Sequence, residues 1–212
     1  IELTAPTTEP QREVWAASQM SDEASCSYNE SVSLELSGHL DLKILRTCLI
    51  ELVQRHESLR AIFETSGSRM VVLRQMGIAD IMHDLSTLPE EEQVAHMAAI
   101  GEEQMGTAFD LTNGPLFRVL VFKLGQDRHV IRIVAHHIVC DGWSMSILLG
   151  DLSRIYTARS QGVEPDLPEA VPASRYAHEM DAFYASDANG DVKAYWKDLF
   201  AGALPRLDLP TD

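Results

Sequence analysis

Two apolar runs in the middle of the chain constrain its fold more than any other feature of the sequence. Residues 115–124 (PLFRVLVFKL) and 129–137 (HVIRIVAHH) are rich in β-branched and aromatic side chains, and residues 125–128 connect them. This pattern predicts a β-hairpin, because two strand-prone runs are joined by a short turn that begins with glycine. Both faces of the runs are apolar, so we expect the hairpin to be buried on both sides.

Helical and strand-like periodicities mix along the rest of the chain. Residues 30–37 alternate, with Val32, Leu34 and Leu36 on one face, and this predicts a half-buried strand. Leucines at helical spacing follow Asp41, which has the position of a helix N-cap. Further strands are expected over 59–65 and 70–75. Further helices are expected after Thr8, from Pro89 to about 106, from Ser144 to about 157, and over 173–185 and 190–200. An extended segment is expected over 203–212.

Together these elements predict a layered α/β (α+β) fold, in which a mixed or mainly antiparallel sheet carries helices packed on it. They do not alternate strand by helix, and no glycine-rich phosphate loop follows a strand. We therefore do not expect a doubly wound nucleotide-binding fold. A chain of 212 residues can bury one substantial core, as one domain or two small subdomains.

The acidic composition limits the possible partners. The chain has 17 Lys and Arg against 32 Asp and Glu, a formal charge of −15, and no basic run, which opposes binding to nucleic acid or to an anionic membrane. No apolar stretch reaches the roughly 18 residues of a membrane span, and the first residues lack the pattern of a signal peptide. The three cysteines Cys26, Cys48 and Cys140 are not closely spaced, so we expect a soluble protein of the reducing cytoplasm.

The segment with the most chemistry is 136–142, His-His-Ile-Val-Cys-Asp-Gly, at the end of the second buried run. Alternate side chains of a strand share a face, so His137 points with Ala135 while His136 points the opposite way with Val134. The two imidazoles therefore cannot serve one site. We expect one to be structural and the other to face a cleft.

The residues after the histidines add a turn and a helix start. Gly142 permits a sharp reversal behind Asp141, and the first N–H groups of the following helix have no partners within the helix, so they are candidates to stabilise developing negative charge. Plainer interpretations remain: a histidine in the core and an Asp-Gly turn. A zinc site fails because the histidines diverge, and a Cys140 nucleophile requires the turn to bend back towards a histidine.

Several motifs in order along the chain resemble those of the condensation domains of nonribosomal peptide synthetases, which are relatives of chloramphenicol acetyltransferase. The segment 136–142 resembles the HHxxxDG motif, and 55–63 (RHESLRAIF) resembles RHExLRTxF with Ala61 in place of Thr. Residues 8–15 (TEPQREVW) are similar to the opening motif and 109–119 (FDLTNGPLFRV) to the stretch before the central strands, while 174–177 matches YxDYAxW only weakly.

The resemblance implies an arrangement of two lobes. Domains of this family are about twice as long as this chain, with a reaction tunnel between two similar lobes. We expect residues 1–212 to be the N-terminal lobe, with the C-terminal lobe absent from this sequence.

The resemblance also implies a reaction and its partners. Condensation domains join an acyl or peptidyl thioester, held on the phosphopantetheine arm of an upstream carrier protein, to the amine of an aminoacyl thioester on a downstream carrier. The chain itself is expected to bind no cofactor and no metal. The alternatives are a lobe that only docks carriers or neighbouring domains, and a related acyltransferase that uses acyl-CoA.

Position in the motif implies a role for each site residue. His137 is the second, catalytic histidine, which takes a proton from the amine or orients it. His136 supports the strand, Asp141 is structural and paired with an arginine for which Arg60 is the candidate, and Gly142 lines the tunnel. The residues around the motif favour an L-configured donor, and His136 excludes the heterocyclising variant, which has Asp there.

Overall fold

The computed structural model describes residues 1–202, without the side chains of Ala79 and Asp80, and it confirms the layered fold. The extended segment expected over 203–212 lies outside the described residues. The strands are β1 Leu3–Pro6, β2 Asn29–Ser37, β3 Ala61–Phe63, β4 Arg69–Val72, β5 Ala79–Asp84, β6 Phe117–Lys123 and β7 Arg128–His136. The helices are α1 Glu9–Ser18, α2 Asp22–Cys26, α3 Leu42–Arg55, α4 Glu90–Met105, α5 Gly142–Ser160, α6 Ala173–Tyr184 and α7 Asp187–Leu199.

The predicted hairpin forms the centre of the larger sheet. Strands β6 and β7 pair antiparallel, with Val121 opposite Ile131, and the sheet order is β2-β7-β6-β5. Strand β2 pairs antiparallel with β7, and β5 pairs parallel with β6, so the sheet is mixed. A second, antiparallel sheet has the order β1-β4-β3.

Helices cover both faces of the larger sheet, as the apolar hairpin requires. On one face Val119, Val121, Ile131 and Ile133 join a core that includes the buried side chains of α3 and α5. On the other face Leu120 and Phe122 pack with Leu85 and with Met97 and Ile100 of α4. The hairpin is therefore buried on both sides, which places the end of β7 inside the layered core.

Side-chain caps stabilise the first turns of several helices. Thr8 forms a capping box with Gln11 at the start of α1, and the Asp41 side chain accepts hydrogen bonds from the backbone N–H groups of Lys43 and Ile44 at the start of α3. Both helix starts were predicted from sequence. Within residues 1–202, no helix is at once long and apolar enough to span a membrane.

Several elements differ from the prediction or were missed by it. The short β1 and α2 and the edge strand β5 carry no clear apolar period and were not predicted. Leu59 and Arg60, expected in a strand, belong instead to a 3-10 turn that connects α3 to β3. Helix α5 begins at Gly142, two residues before the expected start, because Asp141 caps it.

The turn between β3 and β4 gives a test of the fold. Gly67 has a φ of 67°, and a Cβ there would lie 2.4 Å from the ring of Trp15. We expect Gly67→Ala to lower the free energy of unfolding by about 2 kcal/mol, because the left-handed conformation strains an L-residue and the indole must move. Urea denaturation followed by circular dichroism measures the loss.

The matched control is Gly125→Ala, in the turn of the central hairpin. Nothing lies within 4 Å of the added Cβ at that position, and the φ of Gly125 is not positive. The change should stay below about 0.5 kcal/mol. Equal losses in the two variants would contradict the packing of Trp15 against the turn.

Candidate active site

The candidate site lies where β7 leaves the sheet. The backbone N–H of His136 donates to Leu116 O at 3.0 Å, and the N–H of the next residue, His137, donates to Tyr28 O at 2.8 Å. The chain then turns, with the N–H of Val139 donating to His136 O at 3.1 Å, before α5 begins at Gly142. The residues that immediately precede β6 and β2 therefore hold the backbone of the two histidines.

His136 is a buried, neutral histidine. Its side chain is 0% exposed, and its Nδ1 accepts a hydrogen bond from the Ile138 N–H at 3.2 Å, which assigns the ring proton to Nε2. Nε2 lies 3.4 Å from Ser25 Oγ and 3.5 Å from Ser18 Oγ. Burial, with a smaller contribution from the charge of the neighbouring His137, lowers the pKa of His136 to about 4. This ring packs in the core and does not face an opening.

His137 has a different environment, as the strand alternation predicts. Its side chain is 38% exposed, and its Nδ1 lies 2.9 Å from Glu30 Oε1. Nδ1 is closed to solvent, and the contact is not aligned for a hydrogen bond. Within the described part of the chain Nε2 has no hydrogen-bond partner, so this nitrogen is free to accept a proton.

The Asp141 carboxylate serves the local backbone. It accepts hydrogen bonds from the Ser144 side chain at 2.5 Å and from the Ser144 N–H at 2.7 Å, and so caps α5. The Ser144 side chain first, then its backbone N–H, hold the pKa of Asp141 below its usual value. Because the carboxylate lies at the helix start, it offsets part of the positive charge there that was a candidate for anion stabilisation.

The expected ion pair between Arg60 and Asp141 is wrong. Arg60 is buried, but its guanidinium lies 2.5 Å from Glu2 Oε2 and also donates to Leu73 O. Its backbone carbonyl accepts from the Leu73 N–H at 3.0 Å, which attaches the 3-10 turn to the residue that follows β4 of the smaller sheet. Arg60 is therefore structural, but it stabilises the segment that follows β4 and not the start of α5.

Gly142 and Cys140 complete the segment. A Cβ on Gly142 would meet no atom within 4 Å, so open space lies beside the start of α5. Cys140 is buried, and burial, with smaller contributions from the nearby carboxylates, raises the pKa of its thiol to about 12, which makes it a poor nucleophile. Within the described residues no three His, Cys, Asp or Glu side chains are grouped to hold a metal ion.

Sequence reasoning did not identify Glu30 at this site. Glu30 lies on the same face of β2 as Val32 and Leu34, because alternate residues of a strand share a face. It is opposite Ala135 in the pairing of β2 with β7. A carboxylate at the end of an otherwise apolar strand face was the available signal. Ala135 and His137 share a face of β7, so the register alone brings Glu30 towards the His137 ring.

Comparison with known proteins identifies the family. The family model for the condensation domain matches residues 1–212. A linear gramicidin synthase of Brevibacillus parabrevis is 34% identical over 213 residues, which are 98% of this chain and 3% of that protein. Phosphinothricin tripeptide synthetase PhsB of Streptomyces viridochromogenes is 33% identical over 214 residues, 99% of this chain and 18% of that protein.

Solved structures show the same fold. The starter condensation domain of rhizomide synthetase RzmA matches with a TM-score of 0.86 at 20% identity, over 94% of this chain and 50% of that chain. The first condensation domain of the calcium-dependent antibiotic synthetase, in complex with a substrate analogue, matches with a TM-score of 0.81 at 25% identity, over 94% and 48%. The chain thus spans about half the length of these solved domains.

The fold is that of the chloramphenicol acetyltransferase-like proteins, with the HHxxxDG segment at the end of the buried strand β7. Within this class, the chain belongs to the condensation domain family. The resemblance predicted from the sequence motifs is therefore confirmed.

The helix cap at Asp141 predicts a modest loss on mutation. We expect Asp141→Ala to lower the free energy of unfolding by about 1 kcal/mol at pH 7, and Asp141→Asn to lose less, because Asn remains an N-cap acceptor. The pKa of Asp141 is lowered in the fold, so its contribution is present above the pKa of the unfolded chain and is lost as the pH falls through the folded value. Urea denaturation at pH 7 and pH 3 tests this. A loss at pH 7 of about 3 kcal/mol or more would instead indicate a broken buried ion pair.

The buried His136 predicts acid sensitivity. With a folded pKa of about 4 and an ordinary value of 6.5, the unfolded chain binds more protons between these limits. Stability from this ring is therefore complete above about pH 6.5 and declines as the pH falls towards 4, by on the order of 3 kcal/mol in total. In NMR titrations the ring of His136 should not protonate above about pH 5 while the native fold persists. Titration near pH 6.5 would show that the ring is not desolvated.

Proposed function

We propose that this chain is the N-terminal lobe of a condensation domain and supplies His137 to amide bond formation in nonribosomal peptide synthesis. The observation that carries the proposal is the His137 imidazole, which stands half-exposed at the end of a buried strand with Nε2 unpartnered in the described part of the chain. Its neighbour His136 is buried and neutral, so only one of the paired histidines is available to a substrate.

The reaction is the aminolysis of a thioester. The amine nitrogen attacks the thioester carbonyl carbon, a C–N bond forms, and Nε2 of His137 takes the proton that the nitrogen loses. The C–S bond then breaks, and the departing thiolate takes the proton back from Nε2. A neutral imidazole can accept a proton and return it, and so it suits both transfers. No side-chain nucleophile is needed, because the amine attacks directly.

Gly142 has a spatial role in this proposal. The open space beside it leaves room for a thioester next to the start of α5, and any side chain at this position would reduce that room. Asp141 fixes the start of the helix through Ser144 and does not touch the reacting atoms. His136 holds the strand end through its contacts with Ser18 and Ser25.

The partners follow from the family. The donor and the acceptor are thioesters on the phosphopantetheine arms of an upstream and a downstream peptidyl carrier protein, and the arms belong to the carriers. A second, C-terminal lobe supplies the facing wall of the cleft. The support for two lobes is that the chain spans about half the length of the solved condensation domains.

The decisive variant is His137→Ala in an intact condensation domain that contains this chain. With the donor and acceptor carrier domains loaded, we expect amide formation to fall by at least about a hundredfold, because the amine loses its proton acceptor. Product is measured by mass spectrometry of the acceptor carrier, and circular dichroism checks the fold. Turnover at the wild-type rate would overturn the proposal.

Two controls accompany this assay. His96→Ala removes an exposed histidine from α4, on the far face of the sheet, and should leave turnover unchanged. Replacing the loaded donor carrier by the corresponding acyl-CoA should give little product. Equal rates with both donors would indicate an acyl-CoA-dependent acyltransferase instead.

A further inference from the structure

We propose that Glu30 is a positioning residue for His137, which holds the imidazole with its proton on Nδ1 and leaves the Nε2 lone pair to the substrate amine. This inference rests on the proposed function for its consequence in catalysis. The interaction itself is a property of this chain, and it is tested without turnover.

The sheet register brings the two side chains together. Glu30 lies opposite Ala135 in the β2–β7 pair, and the Tyr28 carbonyl, two residues before Glu30, accepts from the His137 N–H. Glu30 Oε1 and His137 Nδ1 are 2.9 Å apart, and the side chains are 37% and 38% exposed. Both backbones are held by the same ladder of hydrogen bonds, so the contact does not depend on a loose loop.

Glu30 has no competing partner in the described part of the chain. Its contact with His137 is its one ion pair there, whereas Glu35, further along the same strand, pairs with Arg128. A carboxylate on the face of Val32 and Leu34 gains nothing from packing. The contact with the imidazole is therefore the interaction that accounts for its position.

Other groups near the His137 ring do not take this role. Hydrogen bonds from Ser144 satisfy the Asp141 carboxylate, the His136 ring is buried in its neutral form, and the Cys140 thiol is buried and protonated. Glu30 is thus the carboxylate in contact with Nδ1, a nitrogen that is closed to solvent.

The carboxylate acts on the proton position and on the charged intermediate. A negative charge next to Nδ1 favours the tautomer with the proton on that nitrogen, which leaves Nε2 as the basic atom. When Nε2 takes the proton of the amine, the imidazolium forms in contact with a carboxylate and is stabilised by it. The small rotation that aligns the pair is of the kind that catalytic hydrogen bonds undergo on substrate binding.

The test is the tautomer of His137 in the 212-residue chain. Histidine ring ¹⁵N chemical shifts, recorded at pH 8.5, distinguish the protonated from the bare nitrogen, and the signals missing in His137→Gln are those of His137. We expect the Nδ1–H tautomer in the wild-type chain and a shift towards Nε2–H, the form that free histidine prefers, in Glu30→Leu. A wild-type ring with its proton on Nε2 would overturn the proposal without any Glu30 variant.

Glu35→Leu is the matched control, since Glu35 lies on the same strand but on the opposite, exposed face. It should leave the His137 tautomer unchanged. An identical shift in both Leu variants, or no shift in Glu30→Leu, would overturn the specific role of Glu30.

Kinetics of an intact condensation domain give a second measurement. Glu30→Leu should lower kcat roughly tenfold with KM unchanged, and Glu30→Asp should recover part of the loss. If His137→Ala is inactive while Glu30→Leu has the wild-type rate, the role of Glu30 fails and the proposed function stands. If His137→Ala keeps full turnover, the proposed function fails. The interaction between Glu30 and His137 is then tested by the tautomer measurement alone.

Discussion

The pairing of β7 with a strand on each side is the constraint on which the rest of the site depends. Because β2 and β6 both pair with β7, the backbone at His136 and His137 is hydrogen-bonded to the neighbouring segments on both sides. The alternation of side chains along β7 then determines which of the two rings enters the core. A shift of the register by one residue would exchange the two rings and would also separate His137 from Glu30. The geometry of the site is thus a consequence of sheet register more than of any contact between side chains.

Burial gives two adjacent residues of the same type opposite properties. Desolvation lowers the pKa of His136 to about 4 and so keeps its ring neutral near pH 7, and its hydrogen bonds with Ile138 and the serines fix its orientation. His137, one residue later, keeps contact with solvent and lies next to a carboxylate. A neutral inner ring also spares the outer ring a neighbouring positive charge, which would oppose the uptake of a proton.

The sequence was most informative where a single strong pattern decides the structure. The hairpin was predicted from its two strand-prone runs, and the helix after Asp41 was predicted because an apolar period and a capping residue agree there. The helix after Pro89 was predicted from the proline and the three glutamates of its first turn. The edge strand β5 was missed because its pairing is long-range and its residues show no alternation. The predicted partner of Arg60 was also wrong, because a sequence motif can indicate that an arginine is buried but not which carboxylate it contacts. To identify Glu30 as a neighbour of His137, one needs the register of two strands that lie about a hundred residues apart in the chain.

The cap at Asp141 has a consequence for how the charge of the reaction is stabilised. In the proposed reaction, attack on the thioester places negative charge on the carbonyl oxygen, and an uncapped helix start near Gly142 would be the natural place to receive it. The Asp141 carboxylate already occupies that end of α5 through Ser144, so the helix offers the oxygen much less. In the proposed reaction the positive charge that forms on His137 is the nearer source of stabilisation. The same imidazole then takes the proton of the amine and, once protonated, balances the negative charge on the carbonyl oxygen. For this reason the contact with Glu30 must orient the ring while the proton on Nδ1 stays on the imidazole.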